Sequence, residues 1–189
     1  DEAIIYSGPL VVLTSRLSAS ASEILAGSLK DYRRAVIVGG DHTFGKGSVQ
    51  SVRDLPAGQG AIKVTTALFF IPGGNSTQHN GVSSDIVLPS VLNNEEIGEK
   101  NLDYALTPQK VEAFTTPDAN TTSPTKRWEP VTNELIQVLA KSSKDRVAKD
   151  EKFAKIQKRI EKEKTNKGII KIAELTKDEK KKKPQQGSP

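Results

Sequence analysis

The sequence predicts an α/β fold built on a parallel sheet. Three observations carry that reading. Leu10-Val11-Val12-Leu13 and Ala35-Val36-Ile37-Val38 are short continuous apolar runs, the pattern of strands buried on both faces. Residues 20–33 between them read as a helix, with Ile24, Leu25, Leu29 and Tyr32 as its apolar stripe. Strand, helix and strand in so short a span make a βαβ unit, which implies a right-handed crossover.

The remaining elements follow in order. Ala3-Ile4-Ile5-Tyr6 opens the chain with a strand-like pattern. Gly39-Gly40 ends the second strand, and a loop over 40–47 leads to strand-like segments at 48–55 and 61–71. In the latter, Ile62, Val64, Thr66, Leu68 and Phe70 alternate against Lys63 and Thr65. Gly58 and Gly60 mark the connection, and Pro72-Gly73-Gly74-Asn75 ends the pair with turn chemistry. A short helix is expected within 91–106. From Val131 the pattern is helical again: Leu135, Val138 and Leu139, then Phe153, Ile156 and Ile160, spaced by Lys and Glu. Gly168 is expected to interrupt that helix.

Composition divides the chain into regions. Residues 1–112 form the α/β core, and 113–130, rich in Thr, Pro, Asn and Asp, a linker. Residues 131–179 form a helical domain, and 180–189, with Lys180–Lys183, a disordered basic tail. The net charge of +5 is uneven: residues 131–183 hold 17 Lys/Arg against 9 Asp/Glu, and the remainder 11 against 14. Basicity therefore belongs to the C-terminal segment, where a solvated helix face accounts for it. No nucleic-acid partner is expected. With no Cys there is neither a disulfide framework nor a thiolate nucleophile or metal site. The chain has no Met and opens on a strand pattern, so it reads as a piece of a longer polypeptide.

Two segments carry chemistry. Ser18-Ala19-Ser20-Ala21-Ser22-Glu23 follows the first strand of the βαβ unit, and Phe44-Gly45-Lys46-Gly47-Ser48-Val49-Gln50 follows the second. The C-terminal ends of parallel strands share one rim, so Ser20 and Lys46 can reach one crevice. A serine at a helix start lies beside unpaired N–H groups and the positive end of the dipole. The Ala21 N–H can then serve an oxyanion. Equally, Ser20-Ala21-Ser22-Glu23 is an S-x-x-E capping box, and the hexapeptide alone does not choose among its three serines. A lysine serves as general base only while neutral, a state that burial favours. The alternatives for Lys46 are a surface cation or a phosphate loop. The phosphate reading is weak, because the segment lacks the first glycine of G-x-x-x-x-G-K-[ST] and opens no helix.

Neither histidine supports a Ser-His-Asp triad: His79 sits in a polar turn beside Gln78 and Asn80, and His42 precedes the glycine loop. No metal-ligand spacing occurs, so neither metal nor cofactor is expected. Trp128 reads as a packing anchor. Asn75-Ser76-Thr77 and Asn120-Thr121-Thr122 match a glycosylation sequon, a pattern common by chance.

The S-A-S-A-S-E segment, an Asp eleven residues beyond Ser20 and F-G-K-G-x-V-Q together resemble the C-terminal processing peptidases, above all their tail-specific subgroup. Gly8-Pro9-Leu10-Val11-Val12-Leu13, Gly74-Asn75-Ser76-Thr77-Gln78, Gly81-Val82-Ser83-Ser84-Asp85-Ile86 and Glu96-Ile97-Gly98-Glu99 extend the likeness, as does Arg146-Val147-Ala148-Lys149-Asp150 with Phe153. The resemblance implies the C-terminal half of a crotonase- or ClpP-like protease core, followed by a helical extension. It implies Ser20 as nucleophile, Lys46 as base, Gln50 as the residue that orients the lysine, and Asp31 as an important acid. Asp31 can equally pair with Lys30, Arg33 or Arg34.

Also implied are protein substrates with apolar C-terminal tails, an upstream PDZ domain, a possible lipoprotein adaptor and a periplasmic setting. The segment alone is expected to be inactive. Leu17 and Ser84 depart from the family's frequent Phe and Pro, and the loop before Lys46 is one residue longer. Two other readings stay open: a non-catalytic binding module on the same fold, and a basic adaptor docking acidic partners or membranes.

Overall fold

The computed structural model describes residues 6–114 and 128–165. Strands β1 (Val11–Thr14) and β2 (Val36–Gly39) flank helix α1 (Ala21–Asp31), completing the expected βαβ unit. β1 and β2 pair in parallel, Val11 opposite Val36 through Thr14 opposite Gly39. The two-residue strand β5 (Ile86–Val87) adds in parallel on the far side of β2, giving the order β1-β2-β5. β3 (Ser48–Asp54) and β4 (Ala61–Leu68) form a separate antiparallel hairpin with an irregularity at Val49/Gln50. The result is a mixed α/β unit, with helices α2 (Asn133–Lys149) and α3 (Glu151–Thr165) at its C-terminal end.

Packing departs from the sequence expectation on two faces. α1 buries Glu23, Ala26 and Gly27, while Ile24, Leu25 and Tyr32 of the expected stripe are exposed. The reason is close approach: a Cβ on Gly27 would stand 2.7 Å from Ile71 Cγ2. Small residues admit the neighbouring segment where a leucine would hold it off. The core is Ala26, Ile37 and Val82, with Val12 packed against it. β1 is not buried on both faces, since Val11 and Leu13 point outward and are exposed. Successive side chains of a strand point to opposite faces, and here only the face carrying Val12 is packed against the core.

The helix expected within 91–106 is reduced to a single 3-10 turn at Glu99–Asn101. Its carbonyls have another use: Arg16 Nη1 donates to the oxygens of Asn94 (2.7 Å) and Ile97 (3.2 Å). The C-terminal helical run breaks at Asp150, whose carboxylate accepts from the Lys152 (2.7 Å) and Phe153 (3.2 Å) amides and so starts α3. The Gly168 break, the basic tail, the opening strand pattern at residues 3–5 and most of the 113–130 linker lie outside the described residues. No helix among the described residues is long and apolar enough to cross a membrane.

Candidate active site

The loop from β1 to α1 enters the helix through a strained residue. Ser20 has φ 57° and ψ −117°, a left-handed conformation that costs a non-glycine residue about 1–3 kcal/mol. Such strain persists only where neighbours over-determine it. Here the Ser20 amide donates to Glu23 Oε2 at 2.9 Å, and the Ser18 carbonyl accepts from the Phe44 amide at 2.9 Å.

The three serines, equivalent in sequence, separate in structure. Ser18 Oγ accepts from the Ser15 amide (3.1 Å), and Ser22 Oγ donates to the Ala19 carbonyl (2.9 Å). The Ser20 hydroxyl faces the Glu23 amide across the cap without a good bond to it; that amide donates to the Ser20 carbonyl at 2.8 Å. Both halves of the capping box are in place, the Glu23 half as a full hydrogen bond and the Ser20 half as a looser approach of the hydroxyl to the Glu23 amide. Ala21 is the first residue of α1, so its N–H has no intrahelical partner and lies at the positive end of the dipole.

Glu23 does more than cap. It is fully buried, and besides Ser20 it accepts from Thr43 Oγ1, the Gly45 amide (2.7 Å) and the Lys46 amide (2.8 Å). Burial pushes its carboxyl above the usual carboxylate range, against the pull of those four donors. Because the Ser20 and Lys46 amides bond to the same oxygen, at 2.9 and 2.8 Å, their nitrogens lie within about 5.7 Å of each other. One carboxylate thus holds the serine turn and the lysine loop together.

Gly45 makes this possible. Its φ is 93°, and a Cβ there would meet the His79 carbonyl oxygen at 2.7 Å.

Lys46 is half-buried, and its Nζ donates to Ser48 Oγ at 3.0 Å and Gln50 Oε1 at 3.3 Å. Ser48 and Gln50 both belong to β3, and one amine reaches both across the irregularity at Val49/Gln50. Gln50 Nε2 donates in turn to Thr65 Oγ1 of β4 at 3.4 Å. No hydrogen bond among the described residues joins the Ser20 hydroxyl to Lys46 Nζ.

A second clamp lies behind the serine turn. Arg16 is 1% exposed and holds Asp41 through Nε (2.8 Å to Oδ1) and Nη2, with Glu95 Oε1 at 3.1 Å from Nη2. The guanidinium pulls the Asp41 carboxyl down to about 2.

Asp31 stands at the opposite end of α1 from Ser20. Its carboxylate accepts from the Gly73 amide at 2.7 Å, and burial raises its carboxyl above the usual range against the pull of that amide and of the Lys30 charge. His42 Nδ1 lies 2.6 Å from the Thr43 carbonyl oxygen, and His79 donates its amide to the Gly45 carbonyl at 2.8 Å. Neither ring bonds to Ser20. No group of three or more candidate metal ligands occurs among the described residues. The Trp128 ring lies 5.9 Å from the Arg34 guanidinium carbon, a packing contact.

Sequence reasoning missed Ser48, Arg16 and the long-range role of Glu23. The capping-box pattern did mark Glu23, but its partners in the 43–46 loop have no local signal.

Residues 1–88 match the model of peptidase family S41. The chain is 33% identical over 162 residues to the tail-specific protease of Haemophilus influenzae, covering 82% of this chain and 22% of that protein. It is 51% identical over 85 residues to the carboxy-terminal-processing protease of Bartonella bacilliformis, covering 44% of this chain and 19% of that protein. A solved photosystem II D1 C-terminal processing protease aligns with 48% of this chain and 26% of its own, at 41% identity and a TM-score of 0.40. The chain thus spans about a fifth of the length of these two curated relatives.

Proposed function

We propose that the protein containing this chain, whose residues 1–88 match the model of peptidase family S41, is a serine endopeptidase of that family with a Ser-Lys dyad. The observation that carries this reading is the shared Glu23 oxygen, which brings the Ser20 turn and the Lys46 loop to one place. Neutral Lys46 takes the Ser20 proton as Oγ bonds to a peptide carbonyl carbon. The Ala21 N–H faces the resulting oxyanion. Collapse breaks the C–N bond, and the lysine's proton leaves with the new amine. A water deprotonated by the same lysine then attacks the acyl-enzyme, releasing the acid and restoring Ser20. Gln50 orients the lysine through its acceptor oxygen, and Asp31 supports the fold from the far end of α1.

The substrates are proteins presenting apolar C-terminal tails, threaded as extended chains. An upstream PDZ domain and a lipoprotein adaptor are the expected partners in a periplasmic setting. We divide the chain at 112, 130 and 179 into core half, linker, helical region and basic tail. The 189-residue segment alone is expected to be inactive.

The test is degradation, by the full-length protein, of a substrate bearing an apolar C-terminal tail. Ser20→Ala and Lys46→Ala should each lower turnover about a thousandfold with folding unchanged. Retained hydrolysis in either variant overturns the dyad.

A further inference from the structure

We propose that Ser48 is a positioning residue for Lys46, and that with Gln50 it aims the amine's lone pair at Ser20. The inference rests on the Ser-Lys reading above and adds a residue to it. A neutral lysine amine has two N–H bonds and one lone pair in a tetrahedral arrangement about nitrogen. The lone pair points at the nucleophile only if both N–H bonds are held elsewhere. Gln50 Oε1, which can only accept, takes one at 3.3 Å, and Ser48 Oγ takes the other at 3.0 Å. With those two vertices fixed, rotation about the terminal carbon–nitrogen bond no longer carries the lone pair away.

Ser48 is suited to the task by its place in the fold. It is 5% exposed, so water does not compete for its oxygen. It is the first residue of β3, paired with Leu68 of β4, which fixes its backbone. It lies two residues before Gln50 on β3, across the irregularity at Val49/Gln50, so one strand carries both acceptors. Among the described residues, Glu23, His79 and Glu99 are the titratable residues of neighbouring elements that bond to the Lys46 loop, Glu99 through its amide to the Phe44 carbonyl at 2.9 Å. Glu23 of α1 accepts the Lys46 amide, and His79 of the 75–83 segment donates its amide to Gly45. None of these side chains bonds to Nζ, so among the described residues Ser48 and Gln50 are the hydrogen-bond partners that set the amine's orientation.

The experiment uses the full-length protein and a peptide substrate with an apolar C-terminal tail, with kcat and KM measured across pH for wild type, Ser48→Ala and Ser48→Thr. Ser48→Ala should lower kcat about 3- to 10-fold with KM unchanged, the worth of one hydrogen bond. Ser48→Thr, which keeps the hydroxyl, should restore kcat.

Thermal melts of the three proteins separate positioning from folding. A Ser48→Ala variant that loses only stability, with kcat unchanged, overturns the proposal, and so does one that turns over faster. Failure of Ser20→Ala to abolish turnover would instead strike the dyad itself, so the two failures are distinguishable.

Discussion

The two ends of helix α1 each carry a carboxylate that burial pushes above the usual range, yet the two groups do unlike work. At the N-terminal end, Glu23 gathers a hydroxyl and three amides from two separate loops. At the C-terminal end, Asp31 accepts a single amide, that of Gly73. A buried acceptor with four donors is a junction, and its loss leaves several polar groups dry at once. One with a single donor is a staple. The contrast teaches that the raised carboxyl does not mark function by itself. What matters is which segments the donors belong to.

The sharpest way to break the comparison is to remove each carboxylate in turn. Glu23→Ala leaves the Ser20, Gly45 and Lys46 amides and the Thr43 hydroxyl without their acceptor. At about 1–3 kcal/mol for each buried unpaired group, not additively, the variant should lose roughly 4 kcal/mol or more in urea unfolding. Glu23→Gln separates fold from chemistry, since its one carbonyl oxygen can serve only part of the set. Its kcat should fall by about tenfold or more even at temperatures where it is folded. A Glu23→Gln protein with full turnover would show that the two loops find each other without the junction.

Arg16 extends the contrast from a carboxylate to a cation. Its guanidinium ties the serine turn to Asp41 and to the carbonyls of Asn94 and Ile97. Arg16→Ala should destabilise the protein by about 3 kcal/mol, because the Asn94 and Ile97 carbonyls lose their donor and the buried side chain leaves a cavity, the exposed carboxylates adding little. The segment around Glu99–Asn101 should become accessible to protease first, as the element whose carbonyls Arg16 holds. Unchanged proteolysis there would mean that the turns persist unaided.

How much of this was legible beforehand depends on the range of the interaction. β1, α1, β2 and the β3–β4 hairpin follow from local periodicity and turn residues, and all were expected within a few positions. The buried face of α1 was not, because Gly27 and Ala26 pack by being small, whereas periodicity rewards large apolar residues such as Ile24 and Leu25. Arg16 gave no signal at all. A lone arginine in a loop reads as solvated until the 94–97 carbonyls are known to fold over it. The order of the strands could place Ser20 and Lys46 at one rim, whereas Gln50 and the preference for Ser20 over Ser18 and Ser22 came from the resemblance to the C-terminal processing peptidases. The role of Ser48 needed the bond its hydroxyl makes with Lys46 Nζ.

At the staple end the expected effects are smaller. Asp31→Ala strands the Gly73 amide and should cost about 1–2 kcal/mol. Asp31→Asn keeps an acceptor oxygen and should retain most of that stability and turnover. If Asp31→Asn were folded but inactive, the charge itself would be required, and the likeness of Asp31 to a mere staple would end.

The smallest effect is the one with the clearest sign. The Asp41 carboxyl lies at about 2 in the folded protein, against an ordinary value of 3.8. A group depressed in this way contributes stability that is fully present above its unfolded value. That contribution is lost as pH falls through the folded one, so its window lies between about pH 4 and pH 2. Asp41 is partly exposed, and solvent screening keeps the gain to about 1 kcal/mol or less. Glu23 and Asp31, both raised, act in the opposite sense: their share is full below the usual carboxylate value and declines as pH climbs through the elevated one. Wild-type melting temperature should therefore drop more steeply than that of Asp41→Asn between pH 4 and pH 2. Parallel slopes for the two proteins would mean that the Arg16–Asp41 pair contributes nothing to the acid side of the stability curve.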